Sequence, residues 1–275
     1  MTTYLIFGDG WLGNKFFDYL GDDSELARER IENTDQIRAY LKASDAEVII
    51  NCIGKTGKPN IDWCESNKDA TFFSNVTVPS MIAEVCEETG KYMVHIGSGC
   101  IYQGSGEWAE GDEPNFYGSF YSKTKIFSEK ILKTYPDVLT LRIRMPFDST
   151  ASPRNLITKL IGYKQVVGDV SNSMTYVPDM LDAASQLMRR RKTGVYNIVN
   201  RGHITHREIL WLYKELVKPY FELPEFIGVD ELKERGLVKA LRSNCILSTE
   251  KLKNRGIKMR HVEKAMEDCM RKMAK

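Results

Sequence analysis

The sequence lacks any long hydrophobic run. No stretch reaches the roughly 18 uninterrupted apolar residues that a transmembrane helix needs, so no membrane span is predicted. The first ten residues, MTTYLIFGDG, have no basic n-region and lead directly into a strand pattern. This pattern predicts that they are not a signal peptide.

The sequence also has little excess charge of either sign. Its 39 basic and 37 acidic residues give a net charge of +2. An even balance of this kind does not favour binding to nucleic acid or to an anionic membrane. With 275 residues, the chain is long enough for one large α/β domain and a smaller lobe.

Histidine is scarce, with four in the chain, and the six cysteines form no CxxC pair. Their spacing is not typical of a metal site, so no metal is predicted. Scattered thiols in a chain of this size are typical of a reducing compartment, and we therefore expect a cytoplasmic protein.

Strand and helix patterns alternate over the first half of the chain. Short apolar runs are typical of buried strands, and longer patterned segments are typical of helices. The predicted strands are 3–7, 46–52, 92–96 and 138–143, with a weakly marked one at 24–28, and the predicted helices are 11–20, 67–89 and 120–134. This alternation predicts a Rossmann-type, doubly wound parallel sheet covered on both faces.

After about residue 145 the regular alternation of strand and helix patterns ends, and prolines separate shorter elements. We therefore expect a dinucleotide-binding domain at 1–145 and a smaller substrate-binding lobe at 146–275. The apolar run at 195–200 predicts one more strand that returns to the main sheet. The lobe is thus expected to be interleaved with the first domain.

Three glycines, Gly8, Gly10 and Gly13, follow the first predicted strand and open the first helix. In a dinucleotide site the first permits the tight turn, the second lets the backbone approach the pyrophosphate, and the third allows close helix–strand packing. The turn predicts such a site, with Trp11 and Leu12 beside the phosphates. The alternative is a structural glycine turn in another α/β protein.

The choice between the two nicotinamide cofactors depends on residues about 20 positions further on. Here Arg28 and Arg30 lie beside Glu25 and Glu29. Arginine accommodates the 2′-phosphate of NADP, whereas an acidic residue binds the ribose hydroxyls of NAD. The mixture favours NADP(H) over NAD(H), and the alternative is that both arginines are only solvated.

A serine, a tyrosine and a lysine form a candidate catalytic set. Ser98 ends a predicted strand, and Tyr121 and Lys125 lie four residues apart on one face of the next helix. Ketone reduction needs a proton on oxygen as hydride reaches carbon. A tyrosine has a free pKa near about 10, and a nearby ammonium lowers it toward neutrality. A serine hydroxyl can polarise the same oxygen.

In this order, the motifs resemble the extended short-chain dehydrogenases/reductases. More closely, the chain is similar to the nucleotide-rhamnose synthase epimerase/reductases of the dTDP-4-dehydrorhamnose reductase-like family. The similar stretches are GKTGKPNIDWCES, SGCIY, PNFYGSFYSKTK, LRIRMPFDS, PRNLITK, NSMT and LRSN. The resemblance implies 3,5-epimerisation and 4-keto reduction of an NDP-4-keto-6-deoxy-glucose to NDP-L-rhamnose. The family's turn usually reads GxxGxxG; here it is one residue shorter and contains Asp9, which counts against NADP(H).

Cys100 lies two residues after Ser98, so in extended chain it faces the same side. Inverting a carbon beside a ketone takes a base on one face and an acid on the other. Cysteine and lysine can both be tuned for such roles. The resemblance implies that Cys100 and Lys159 form this pair. From the residues alone, Cys100 is typical of a small buried side chain and Lys159 of a solvated helix residue.

Other positions are assigned to cofactor and substrate. We expect Arg242 to meet the diphosphate, because guanidinium matches phosphate in a fork, or else to be simply exposed. Asn75 is expected to tie the central strands or the cofactor, or to be a helix-surface amide. His95, inside a strand, is expected to be structural. The remaining assignments are Asn51 and Gly54 to the cofactor and Thr56, Trp63, Asn155 and Met174 to the sugar pocket.

Three functions stay open at this point. The first is the bifunctional epimerase/reductase, and the second is a reductase that depends on a separate epimerase. The third is a catalytically silent regulatory subunit, since the regulatory subunit of methionine adenosyltransferase resembles this reductase group. A homodimer through the helix of Tyr121 is typical of the group. The sequence does not indicate whether the nucleotide is UDP, dTDP or GDP.

Overall fold

The computed structural model describes residues 3–275, which form an α/β fold around one parallel sheet of six strands. Its strands are β1 (Tyr4–Phe7), β2 (Ser24–Ala27), β3 (Val48–Asn51), β4 (Tyr92–Ser98), β6 (Val138–Ile143) and β10 (Gly194–Asn197). In space they follow the order β10-β6-β4-β3-β1-β2. The predicted doubly wound parallel sheet is confirmed, including the weakly marked second strand.

Six shorter strands pair in three two-stranded parallel sheets. They are β5 (Glu107–Trp108) with β12 (Ile246–Leu247), β7 (Pro146–Phe147) with β9 (Thr175–Tyr176), and β8 (Gln165–Val167) with β11 (Glu225–Ile227). The helices are α1 (Trp11–Leu20), α2 (Thr34–Ala43), α3 (Asp62–Ser66), α4 (Lys68–Phe72), α5 (Val78–Thr89), α6 (Phe120–Leu132), α7 (Leu156–Leu160), α8 (Val177–Arg189), α9 (His206–Leu216), α10 (Val229–Glu234), α11 (Glu250–Lys253) and α12 (Val262–Met273). Over residues 3–275, none of these helices has the length and hydropathy to cross a membrane.

Helices cover both faces of the main sheet. Alternate residues of β1 point to opposite faces, so Leu5 and Phe7 pack with α2 and α5, whereas Tyr4 and Ile6 pack with α1 and α8. Burial on both faces is the reason that these strands are continuous apolar runs. α8 lies in the segment expected to form the lobe, yet it packs on the main sheet. The segment that begins at residue 146 therefore supplies α8 and the edge strand β10 to the main sheet and its helical cover.

The strand order reverses between β1 and β3. β1 pairs with β2 on one side and with β3 on the other. The loops that leave β1 and β3 at the carboxyl edge therefore diverge and open a crevice. Ligands of doubly wound sheets bind at such a reversal point.

The helix predicted at 67–89 is interrupted by a π-helical segment, Phe73–Thr77, between α4 and α5. Such segments occur frequently at functional sites. Within it, Asn75 is fully buried, so it is not a helix-surface amide. Its side chain accepts a hydrogen bond from the N–H of Lys55 (2.7 Å) and donates to the Lys55 carbonyl and to Thr124 Oγ1, both at 3.0 Å. Asn75 therefore ties the loop after β3 to α6.

A buried ion pair joins α6 to β6. Arg142 has no exposed surface, and its Nε and Nη2 each donate to a Glu129 carboxylate oxygen at 2.6 Å. Tyr121, Lys125 and Glu129 are spaced by four residues and so share one face of α6. The ion pair therefore fixes which face of α6 is turned toward the sheet.

Gly13 is one of two positions in the first turn, together with Gly8, that leave no room for a side chain. A Cβ there would lie 1.9 Å from the Gly8 carbonyl oxygen, whereas a Cβ at Gly10 would meet nothing within 4 Å. We expect Gly13→Ala to lower the free energy of unfolding by about 1–3 kcal/mol or more through overpacking. Gly10→Ala should change it by less than about 1 kcal/mol. Urea denaturation of the two variants measures the difference, and equal stabilities would contradict this prediction.

Candidate active site

Two cavities open along the carboxyl edge of the main sheet. The sheet-edge cavity, of about 320 Å³, is lined by residues that follow β1, β3 and β4, among them Trp11, Ile53 and Ser98. The lobe cavity, of about 440 Å³, lies under the second lobe and includes Tyr163 and Arg242. The residues that line both cavities are Thr56, Ile61, Cys100, Tyr121, Met145 and Lys159. The two cavities thus meet at three of the five predicted catalytic residues.

The sheet-edge cavity fits a dinucleotide. α1 begins beside it, and its N-cap, Gly10, offers no side-chain hydrogen bond, so N–H groups of the first turn remain free for phosphate. Gly8 has φ +109°, and a Cβ there would lie 2.8 Å from the Ile53 nitrogen, so only glycine fits this turn. Trp11, Leu12 and Gly54 line the cavity directly. Within residues 3–275 there is no cluster of three or more His, Cys, Asp or Glu side chains that could hold a metal ion.

Arg28 follows β2 directly and is held by the glycine turn. Its Nη1 lies 3.1 Å from the Asp9 carboxylate, whose other oxygen accepts a hydrogen bond from Asn14 at 2.8 Å. The hydrogen bonds from Asn14 and Arg28 lower the pKa of Asp9, which is therefore ionised at neutral pH. The candidate 2′-phosphate ligand is thus already partnered by a carboxylate.

Tyr121 is almost completely buried at the junction of the cavities. Burial raises the pKa of its phenol, and a hydrogen bond with Ser98 opposes that rise. The spacing of Tyr121 and Lys125 on one helix face predicts that the Lys125 ammonium lowers this pKa toward neutrality. In the structure burial dominates, so the phenol stays protonated at neutral pH and can donate a proton.

The Lys125 side chain is turned toward the sheet. Its Nζ donates to the Ile96 carbonyl at 3.0 Å and lies 3.3 Å from His95 Nε2. Burial lowers the pKa of Lys125 to about 8. His95 is buried, lines neither cavity, and also contacts the amide of Asn51 at 3.1 Å. Asn51 and His95 therefore support the site from beneath, and Asn51 does not reach the sheet-edge cavity.

Cys100 and Lys159 both border the two cavities and are half-buried. The backbone N–H of Cys100 donates to Ser98 Oγ at 3.1 Å, and its sulfur accepts from Arg144 Nη1 at 3.2 Å. Burial, followed by the charge of Arg154, lowers the pKa of Lys159. A thiol and an amine thus lie at the position where the cavities join.

Three residues assigned to the sugar pocket line neither cavity. Met174 is fully buried in the apolar core of the lobe. Asn155 is fully buried too; it caps α7 through the N–H of Ile157 and donates to two backbone carbonyls, so its amide is occupied. Trp63 lies on α3, with its Cβ against Gly57. Of this set, only Thr56 lines the cavities, and it accepts a hydrogen bond from Arg154 at 2.6 Å.

Arg242 lies in the lobe cavity, as part of an ion pair. Its two terminal nitrogens each contact an oxygen of Asp62 at 2.9 Å. Both side chains are partly exposed, and they join α3 to the segment before β12. An incoming diphosphate would compete with Asp62 for the guanidinium fork.

Two residues that line both cavities, Ile61 and Met145, were not predicted from the sequence, and neither was Arg144, which lines neither cavity. Met145 lines both cavities with φ +41°, an uncommon backbone conformation for a side chain of this size. Arg144 is buried and contacts the Cys100 sulfur. The available signal was the pair of arginines in LRIR, because charged residues are almost never buried in a strand without a partner.

The comparisons with known proteins agree with this geometry. Residues 9–275 match the model of the RmlD substrate binding domain family. The chain is 38% identical over 264 residues to a bifunctional dTDP-4-dehydrorhamnose 3,5-epimerase/reductase of Arabidopsis thaliana, covering 91% of this chain and 86% of that protein. It is also 38% identical to an A. thaliana trifunctional UDP-glucose 4,6-dehydratase/3,5-epimerase/reductase, with 91% of this chain but only 39% of that protein covered.

A solved structure extends the likeness to the whole fold. The L780 UDP-rhamnose synthase of Acanthamoeba polyphaga mimivirus superposes with a TM-score of 0.91 at 30% identity, covering 98% of this chain and 99% of that one. A dTDP-4-dehydrorhamnose reductase from Clostridium acetobutylicum, at 18% identity and a TM-score of 0.82, shares the fold.

Proposed function

Since the chain belongs to the RmlD substrate binding domain family, we propose that it is a bifunctional 3,5-epimerase/4-ketoreductase. It converts an NDP-4-keto-6-deoxy-glucose to NDP-L-rhamnose with NAD(P)H. The observation that carries the proposal is the junction of the two cavities, where Cys100, Tyr121 and Lys159 border both spaces. A ketone there would be within reach of an acid for reduction and of an acid–base pair for epimerisation.

For reduction, the glycine turn after β1, together with Trp11 and Leu12, holds the cofactor. The bound NAD(P)H supplies hydride to the ketone carbon. Tyr121 gives its phenolic proton to the ketone oxygen as the carbon–oxygen double bond becomes a single bond. Ser98 hydrogen-bonds the phenol and orients it. Lys125 is charged in most molecules below its pKa of about 8, and its ammonium is held at the Ile96 carbonyl. The phenolate that remains on Tyr121 regains its proton from solvent.

For epimerisation, a base takes the proton from a carbon beside the ketone, and the carbon–hydrogen electron pair moves to the ketone oxygen. Tyr121 and Ser98 hold that oxygen and stabilise the enolate. An acid on the opposite face then returns a proton to the carbon, so that no net oxidation occurs. Cys100 is assigned as the base and Lys159 as the acid; both then exchange protons with solvent.

The nucleotide diphosphate is assigned to the lobe cavity. Arg242 offers a planar fork that matches two phosphate oxygens. Apolar side chains line the rest of that cavity, including Val166, Leu232 and Val238. These residues are suited to cover a flat nucleobase, and they do not distinguish among UDP, dTDP and GDP.

We propose NADP(H) as the better cofactor, on the basis of Arg28 at the end of β2. Arg28→Ala should raise the KM for NADPH about tenfold or more and change the KM for NADH little, because a charge-assisted contact to phosphate is lost. Asp9→Asn should lower the KM for NADPH, since it releases the guanidinium. Steady-state kinetics with both cofactors measure this. Arg30→Ala is the control, because the ion-pair partner of Arg30 is Glu32, at 3.9 Å, and not Asp9 of the glycine turn; an effect equal to that of Arg28→Ala would count against the assignment.

The proposal extends to assembly and compartment. The exposed side of α6 carries Phe127 and Ile131, 48% and 37% exposed, and a homodimer through this helix would cover them. Sedimentation of the full chain would test that assembly. The six free cysteines fit a reducing compartment, which supports a cytoplasmic location.

The deciding experiment supplies the full chain with NADPH and an NDP-4-keto-6-deoxy-glucose in deuterated water. Deuterium at C3 and C5 of a rhamnose product is the expected result. A reduced product without label would leave a reductase that needs a separate epimerase. Cofactor binding with neither reaction would instead identify a silent regulatory subunit.

A further inference from the structure

Arg144 is a buried cation without an anionic partner. It follows β6 and is only 1% exposed, yet it forms no ion pair with any carboxylate among residues 3–275. Arg142, two residues earlier and equally buried, has the two oxygens of Glu129. Burying a charge without a partner of opposite charge is energetically costly. Arg144, unlike Arg142, must therefore be stabilised by something other than a carboxylate.

The hydrogen-bond partners of Arg144 are all formally neutral. Nη2 donates to the Ser243 carbonyl at 2.7 Å and to Asn172 Oδ1, while Nη1 donates to Ser243 Oγ and to Cys100 Sγ, both at 3.2 Å. Its Nε has no partner in the described part of the chain. Among these partners, only the Cys100 sulfur can become an anion.

The direction of the contact has a chemical consequence. Arginine has donors only, so the sulfur must accept this hydrogen bond. A thiolate is a far better acceptor than a neutral thiol, and a guanidinium beside a cysteine favours the thiolate. The titratable groups that face Cys100 are Tyr121 and Lys125 on α6, Lys159 on α7, Cys245 before β12, and Arg144 itself. Of these, only Arg144 is hydrogen-bonded to the sulfur.

We propose that Arg144 is the positioning residue that holds Cys100 as a thiolate aimed into the junction of the two cavities. This role rests on the proposed epimerase function, in which the sulfur takes a proton from a carbon beside the ketone. A sulfur–hydrogen bond forms, the carbon–hydrogen bond breaks, and the electron pair moves to the ketone oxygen. Arg144 does not touch the sugar; it acts through Cys100.

The test is the pH profile of Cys100 alkylation by iodoacetamide in the folded full chain, with the labelled peptide identified by mass spectrometry. In the wild type, the rate should rise with pH as the thiolate forms, and the guanidinium 3.2 Å from the sulfur should favour that form. Arg144→Gln removes the charge and should move the midpoint of this rise upward by about one unit, which slows the reaction by up to about tenfold at pH values below both midpoints. Arg144→Lys retains the charge and should restore most of the rate.

Asn172→Ala is the matched control, because it removes another partner of the same guanidinium but keeps the charge. Its midpoint should stay at the wild-type value. An unchanged profile in folded Arg144→Gln would overturn the proposal, as would an equal shift in Arg144→Lys or in Asn172→Ala. If Arg144→Gln does not fold, alkylation of Cys100 at pH 7 that is no faster in the folded wild type than in the urea-unfolded chain would overturn it.

Deuterium exchange into C3 and C5, measured on the same variants, separates this proposal from the proposed function. In Arg144→Gln, exchange should fall by up to about tenfold at pH values below both midpoints and recover as the pH rises. One outcome is that the wild type shows no deuterium exchange while its alkylation profile still depends on Arg144. That result would refute the epimerase function and would support the effect of Arg144 on Cys100. Wild-type exchange that is lost in Cys100→Ser but not in Arg144→Gln would refute the role of Arg144 alone.

Discussion

Tyr121→Phe is expected to lower kcat for ketone reduction by about 10²- to 10⁴-fold, the usual contribution of a positioned general acid. The ring stays in place, so both cavities keep their shape, and only the donor to the ketone oxygen is lost. Because burial raises the pKa of this phenol, the wild-type enzyme holds the proton that the reaction consumes throughout the neutral range. Single-turnover oxidation of NADPH with saturating keto-sugar measures the loss at the chemical step.

Tyr102→Phe is the matched control for this experiment. Tyr102 is fully buried and its hydroxyl donates to the Asp112 carbonyl at 2.8 Å, outside both cavities. Its loss should cost about 1 kcal/mol of stability and leave kcat close to the wild-type value. A Tyr121→Phe variant that reduces the keto-sugar as fast as Tyr102→Phe does would disprove the assignment of Tyr121 as the acid.

Cys100→Ser should lower the rate of deuterium incorporation at C3 and C5 by about 10²- to 10⁴-fold. A serine hydroxyl has nearly the same size but does not ionise near neutral pH, so the base is lost and the geometry is kept. The variant should still reduce a substrate that has already been epimerised, because Tyr121 and Ser98 remain. Mass spectrometry of the product from the two substrates separates the two steps.

Cys245→Ser is the control for the loss of a nearby buried thiol. The Cys245 thiol donates a hydrogen bond to the Gly99 carbonyl at 3.4 Å, and Cys245 lines neither cavity. It should incorporate deuterium at the wild-type rate. If Cys100→Ser also incorporates deuterium at that rate, another residue is the base and the assignment of Cys100 is wrong.

The sheet and the family could be predicted from the sequence because their signals are local. A strand buried on both faces must be a continuous apolar run, and the turn after β1 leaves room only for glycine at Gly8 and Gly13. The motifs around Ser98 and Tyr121 were specific enough to indicate the family, and the comparisons confirm it.

What the sequence could not provide is the outcome of distant contacts. Arg242 meets a carboxylate 180 residues away, and the Arg144 guanidinium meets Ser243 across 99 residues. The expected effect of Lys125 on the Tyr121 phenol assumed that neighbours on one helix face must interact directly. The structure turns that ammonium toward the Ile96 carbonyl instead, so burial decides the charge of the phenol.

The Arg142–Glu129 pair has a consequence for how the acid is aimed. The Glu129 carboxylate lies two helical turns beyond Tyr121 on the same face of α6, and the Arg142 guanidinium belongs to a residue of β6. A rotation of the helix by one residue about its axis would separate these two buried charges, so the pair favours a single orientation of the helix about that axis. Pointing the phenol at a ketone costs conformational entropy. Because the helix is fixed by the ion pair, this cost is met when the protein folds and not again in each catalytic cycle.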